Sequence, residues 1–460
     1  MDFRNLTPFP AIAFVGLTQG GEKFRVAALR QTFTFADGSL SFADEQSPLC
    51  EKDVFAGEPN QSSVLAESDL CPFKPMCDVV LNATAHAPHG RSARNFRVRL
   101  QIQEPDAGPS ARPILDKTLL ISGLSWIRKR DILFRCIWFV VKVGTLFFVR
   151  RNPWKRTRSE NITTLPIRHE HALGGEYKVL INDPAARRVK KKDWLPGADR
   201  KALRAAFKES KVAGPLAWTA YELNPIGQGF PREWFRRAAK IEAFPAPQIE
   251  APDAPFTARH FLRALRGKLQ PEDALACQPQ GFGIVPKAWS PRSKLLGTVN
   301  EAFVNSDQGL PEDFDFAYWN GAPKDQQVPA MKGNEVLILT NLCPPNAPGA
   351  CLDSEGNTVL RLALPGHQPF LLVRYEEGKM VPTALELDTV NVDLEKASLV
   401  LVWRCVLPMK PGIRVVEARM MDRAEKQQLA NLETWLSRNP QGPGNNRAMG
   451  ISTQSGVANV

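Results

Sequence analysis

Apolar and polar positions alternate with a period of two along much of this chain, the spacing of strands with one buried and one wet face. The clearest case is 95–103, where Phe96, Val98, Leu100 and Ile102 alternate with Arg97, Arg99 and Gln101. The opening repeats the pattern: Phe24, Val26 and Ala28 stand against Lys23, Arg25 and Ala27, and Gln31 to Phe35 continues it. Asp37-Gly38 then supplies a hairpin turn before Leu40 and Phe42. Residues 78–85 and 165–173 read as further strands, as do Glu335 to Thr340, Val359 to Leu364, Phe370 to Tyr375 and Leu399 to Cys405. Helical spacing is read at two places. Asp199 is placed to cap a helix whose Leu203, Ala206 and Phe207 share a face, inside a basic excursion at 185–217. Residues 417–438 carry Leu429, Leu432 and Leu436 on one stripe and stop before Asn439-Pro440. The expected fold is mostly β, with antiparallel sandwich- or barrel-like sheets in two packed domains, 1–242 and 280–416, a basic helical insertion and a C-terminal helix. Residues 243–279 read as a Pro-rich linker or crossing segment, and 439–460 as a disordered tail.

Composition adjusts this picture at three points. Thirty-eight prolines in 460 residues exceed the usual ~5% and favour turns and short strands over helical bundles. The net charge of +11 suits an anionic partner, and its excess is local, at Arg128 to Arg130, Arg150 to Arg158 and Arg187 to Lys192. No nucleic-acid-binding motif accompanies those runs, so nucleic acid is not an expected partner. The most apolar run, ILFRCIWFVVKVGTLFFV at 132–149, has the length of a membrane span. Arg135 and Lys142 inside it each cost about 2.5–3.5 kcal/mol near a bilayer centre, which a dozen apolar residues at about 0.3–0.6 kcal/mol each only cancel. It therefore reads as two buried strands turning at Gly144, with peripheral membrane docking through 128–158 as the alternative. MDFRNLTPFPAIAFVG lacks a basic leader, a continuous apolar core and a cleavage site, which points to the cytoplasm. Eight cysteines without a CxxC pair then read as reduced thiols.

Candidate chemistry is sparse. In a strand, His169 and His171 would face one side and, with Glu176, offer two imidazoles and a carboxylate to a metal. A metal-dependent hydrolase built on these three is the rival reading. Cys71, Cys77, His86 and His89 have zinc-like composition, but the C-x5-C spacing is wider than zinc sites use. GxSxG, GxxxxGK[ST], strand-borne GxGxxG and HExxH are all missing. Neither an enzymatic activity nor a cofactor is expected.

Several ordered motifs carry a resemblance. MDFRNLTPFPAIAF, EQSPLCEKDVFAGEP, SSVLAESDLCPFKPMCDVVLNATAHAP, LPIRHEHALGGEY, YELNPIGQGFP, GFGIVPKAWSPRSKLLGT, PEDFDFAYWNGAPKDQQ and LELDTVNVDLEKASLVLVWRCVLP follow one another through most of 1–410. Together they resemble a bacterial domain-of-unknown-function family described as type VI secretion accessory proteins. The resemblance implies a cytoplasmic, non-enzymatic adaptor or chaperone. Such a protein stabilises a toxin effector and helps load it onto the valine-glycine-repeat spike or its proline-alanine-alanine-arginine tip. Two departures stand out. The apolar-basic segment 124–158 replaces a shorter, more polar stretch, and His169 and His171 replace the ends of a Tyr-Glu-Arg pattern. Glu67, Asp69, Lys74, Asn224, Asp325 and Gln326 are the polar candidates, either facing a partner or fixing loops by internal hydrogen bonds. Trp403 reads as core.

Overall fold

The computed structural model describes residues 2–108, 111–128, 137–142, 145–150, 153–305, 309–409 and 411–420. Strand outweighs helix, 39% against 15%, so the mostly-β class holds. The described strands form several antiparallel sheets and no closed barrel.

A seven-stranded sheet forms the centre. Its order is Ala11–Leu17, Lys23–Ala36, Ser398–Pro408, Glu386–Asp393, Cys77–Asn82 and Gln327–Val328, with Ser39–Phe42 paired to Lys23–Ala36. Asp37 and Gly38 take φ of 51° and 77° at the expected turn, the left-handed pair that a tight hairpin requires. One pair is parallel: Val79 sits opposite Val390 and Leu81 opposite Val392. All six residues of Cys77–Asn82 are buried, as a strand covered on both faces must be. A six-stranded sheet has the order Ile249–Glu250, Leu115–Ser122, Asn95–Gln103, Val336–Thr340, Thr358–Ala363 and Ala350–Leu352. The alternation at 95–103 is realised there, with Phe96, Val98, Leu100 and Ile102 buried. A four-stranded sheet of Asp2–Asn5, Ile413–Met420, Pro369–Tyr375 and Met380–Ala384 completes the main core.

The boundaries expected at 242 and 280 do not separate the sheets. Lys23–Ala36 pairs along its length with Ser398–Pro408, and Asn95–Gln103 pairs with Val336–Thr340. Both intervals thus share sheets and one core. Nor is 243–279 a plain linker: it holds the strand Ala243–Pro245 and the helix Ala258–Leu265. Phe244, Phe256 and Phe261 from it bury themselves against Trp126 and Trp154 as a second core. Trp126 stacks on Phe261 at 4.6 Å. Alternating prolines hid this aromatic spacing.

Two other elements differ from expectation. The helix expected from 417 is strand up to Met420, because Glu417 and Ala418 pair with Leu372 and Leu371; 421–438 and 439–460 lie outside the described residues. The strand expected over 165–173 is instead Thr164–Pro166, a 3-10 turn at His169–His171, and Leu173–Gly174. Within 132–149, Ile137–Lys142 and Thr145–Arg150 pair antiparallel with Lys142 opposite Thr145, the hairpin expected around Gly144. Whether these strands are buried falls outside the described residues. No described helix is long and apolar enough to cross a membrane.

The basic excursion is helical, as the sequence indicates. Asp199 caps the helix Arg200–Ser210 by accepting from the Lys201 amide at 2.8 Å. Leu203 packs on a small third core of Val179, Ala186, Val189 and Leu216.

Candidate functional site

Residues 66–78 cross the central sheet as a loop whose charged groups point inward. Asp69 accepts from Arg30 Nη1 at 2.8 Å and from the Cys50 amide at 2.7 Å. Glu67 accepts from Arg292 at 2.6 Å. Lys74 Nζ donates to Asp78 and to Thr389 Oγ1, both at 2.8 Å. Asp78 is saturated, with Asn320 Nδ2 and the amides of Gly321 and Ala322 as further donors. Arg404 ties the loop down from the sheet, donating to the carbonyls of Asp69 and Cys71 at 2.9 and 2.7 Å while pairing with Asp388. Gly321 is needed at its position: a Cβ there would stand 2.5 Å from Glu67 Oε2.

These groups hold one another's charge. Burial opposes the Lys74 ammonium, but Asp78 and Asp388 outweigh it and raise its pKa. Burial likewise opposes the Arg404 charge, and Asp388 reverses that effect. The Cys71 thiol is pushed up to about 11 by burial and Cys77 is raised by the same cause, so both stay neutral and poor as ligands or nucleophiles near neutral pH. The space among Arg30, Lys74 and Thr389 is about 20 Å³. That holds a water molecule, far short of the several hundred Å³ of a small-molecule pocket.

Sequence reasoning found three of the eight charged groups of this clamp. Glu67, Asp69 and Lys74 were candidates; Arg30, Asp78, Arg292, Asp388 and Arg404, which pair with them or hold their loop, were not. A signal was present in Leu-Arg-Gln at 29–31 and Trp-Arg-Cys at 403–405. A lone arginine inside an apolar strand is expected to be buried and paired.

The other candidates lie in two neighbouring clusters. Gln326 is fully buried, donating to the carbonyls of Val79 and Phe282 at 2.7 and 3.0 Å. Its Oε1 and Asp325 both accept from Lys117 Nζ at 2.8 Å, and burial pushes that ammonium below its ordinary range. Asn224 is also buried, donating to the carbonyls of His169 and Leu173. It clasps the turn that carries the histidines.

That turn rotates the histidines apart, so the expected shared strand face does not form. His169 is buried with Nε2 on the Ile284 carbonyl at 2.9 Å, which makes Nε2 the protonated nitrogen. His171 Nδ1 meets Gln248 Oε1 at 2.8 Å, and Glu176 accepts from the exposed Trp218 indole. Among the described residues no group of three His, Cys, Asp or Glu side chains is arranged to hold a metal ion.

The clamp joins distant stretches of the chain: Cys50 and Asp53, the loop itself, Lys287 and Arg292, Asn320 and Gly321, and Asp388 to Arg404. All of that span falls within residues 20–404, which match a family described as uncharacterized protein conserved in bacteria (DUF2169). The chain belongs to that family. No curated protein and no solved structure matches it. For this DUF2169 chain, five separated stretches of the sequence therefore meet in one buried charge network. What the loop leaves outside is apolar: Leu70 is 40% and Phe73 38% exposed, with Phe73 edge-on to Phe316 at 5.9 Å.

Proposed function

We propose that this chain is a cytoplasmic, non-enzymatic adaptor of type VI secretion, a chaperone that holds a toxin effector and helps load it onto the spike or tip complex. One observation carries the reading: loop 66–78 is fastened from beneath by buried ion pairs and holds Leu70 and Phe73 outward. Apolar side chains on a loop already fixed lose little conformational entropy when a partner covers them. Such preorganised anchors suit binding without turnover. The ordered motifs of the resemblance support a toxin effector as that partner.

The test is capture of the full-length protein from cells that carry the adjacent toxin gene, beside a Leu70→Asp/Phe73→Asp variant. Effector or spike components should co-purify with the native chain and be depleted from the variant. Deleting the gene should lower effector abundance and secretion. Absence of any such partner, together with unchanged toxin level and secretion, sinks the proposal.

The paired apolar strands Ile137–Lys142 and Thr145–Arg150 support a second reading, docking on an anionic membrane surface. Liposome flotation at low and high salt tests it, since electrostatic docking weakens as salt rises.

A further inference from the structure

The chain's charge is divided unevenly. Residues 128–240 hold 26 Lys and Arg against 10 Asp and Glu, so the rest of this +11 chain is net acidic. The densest part is 187–211, with 10 basic and 3 acidic residues. Arg187 and Lys190 to Lys192 are exposed on short turns. Lys201, Arg204 and Lys208 are exposed on the helix Arg200–Ser210. Among the described residues none of these seven side chains takes part in an ion pair. Two of the three acidic residues are already used: Asp199 caps the helix and Asp193 faces Arg237 at 3.6 Å.

The cations stand on a rigid support. Arg200 Nη2 donates to the carbonyls of Ala186 and Val189 at 2.9 and 3.2 Å, and its guanidinium lies 4.7 Å from the Trp194 ring. Turns and helix thus form one unit. Lys201, Arg204 and Lys208 follow the i, i+3, i+7 spacing of one helix face, a ladder about 10 Å long at the usual rise.

We infer that 187–211 is a docking surface for an acidic helical segment of a partner protein, with the Lys201–Arg204–Lys208 ladder meeting carboxylates at matching helical spacing. Two observations set other polyanions aside. Leu203, which would enter a lipid surface if this were an interfacial helix, is packed into the core against the 214 backbone. Among the described residues of 187–211 there is also no bare tryptophan face for bases to stack on, since Trp194 lies under Arg200.

The experiment uses the full-length protein and a labelled helical peptide with Glu at i, i+3 and i+7, beside its Gln counterpart. Fluorescence anisotropy is read at two salt concentrations, with phosphatidylserine-containing vesicles and a short DNA duplex as competitors. The Glu peptide should bind, the Gln peptide should not, and added salt should weaken the complex. Lys201→Glu/Arg204→Glu/Lys208→Glu should lose about tenfold or more in affinity, with its thermal midpoint kept. Should that variant misfold, Lys201→Gln/Arg204→Gln/Lys208→Gln serves instead. Equal binding by native chain and variant, no binding of the Glu peptide, or tighter binding of vesicles or DNA through the same residues would overturn the inference. Leu70 and Phe73 lie outside this surface, so the effector test and this one fail independently.

Discussion

Loop 66–78 and the excursion at 187–211 use the same residue types to opposite ends. In the loop, Glu67, Asp69, Lys74 and Asp78 are all ion-paired and turned inward. In the excursion Arg187, Lys190 to Lys192, Lys201, Arg204 and Lys208 stand in water, while Asp193 and Asp199 are occupied elsewhere. The difference lies in the company the charge keeps. A cation facing a sheet must find a carboxylate, because removing one partner of a buried pair costs about 3–5 kcal/mol. A cation on an exposed helix has no such need, since surface pairs contribute about 0–1 kcal/mol. Density of charge along the sequence is therefore a poor guide to its role, and the periodicity around each charged residue a better one.

The comparison breaks most sharply at Asp78. Asp78→Ala removes the acceptor of Lys74, Asn320 and two amides and should cost about 3–5 kcal/mol, read as a lower midpoint in urea unfolding. Glu67→Gln keeps the shape but removes the charge facing Arg292, which retains the Tyr318 and Val285 carbonyls. A loss of about 1–3 kcal/mol is expected in the same measurement.

Acid provides a third contrast. Burial lowers the pKa of His169 below its ordinary 6.5, and its Nδ1 has no hydrogen-bond partner among the described residues. Glu170 beside it is held low by Ser63 despite its own burial, and Lys117 adds a repelling positive charge to the histidine's surroundings. The unfolded chain takes up the imidazole proton first, so this contribution to stability is full above pH 6.5 and falls as pH drops below it. His169→Gln, which can still donate to the Ile284 carbonyl, should flatten that decline in unfolding experiments between about pH 7 and 5. A decline of unchanged steepness would show that another group carries it. The smallest effect is expected in the excursion, where the Lys201→Glu/Arg204→Glu/Lys208→Glu change should move stability by no more than about 0.5 kcal/mol per site. A larger loss would mean that these residues support the fold after all.

The sequence made local structure legible wherever one face of an element is wet. Residues 95–103 alternate cleanly because their outward positions hold Arg97 and Arg99, and Asp199 announced its helix because a cap acts within three residues. It was less legible where both faces are covered or where partners are distant. Arg292 lies 225 residues from Glu67, and Arg404 lies more than 330 residues from the carbonyls it holds. No local pattern encodes such a pairing. The histidine turn was missed for a related reason: His169 to His171 fit a strand by spacing, but Asn224 and the Ile284 carbonyl hold them in a 3-10 turn. Prolines obscured the apolar burial at 243–255, whereas the helix Ala258–Leu265 carries Phe261, Ala264 and Leu265 at a legible helical spacing that was missed.

The pairing of Lys23–Ala36 with Ser398–Pro408 has a consequence for the birth of the molecule. The strand Lys23–Ala36, third in chain order, acquires its inner neighbour only after some 400 residues have been synthesised. Until then a long apolar strand edge is open, the arrangement that makes nascent chains prone to aggregate. The central sheet cannot close before Ser398–Pro408 has emerged, and closing so large a loop is slow. This chain would thus depend on protection of that edge during synthesis.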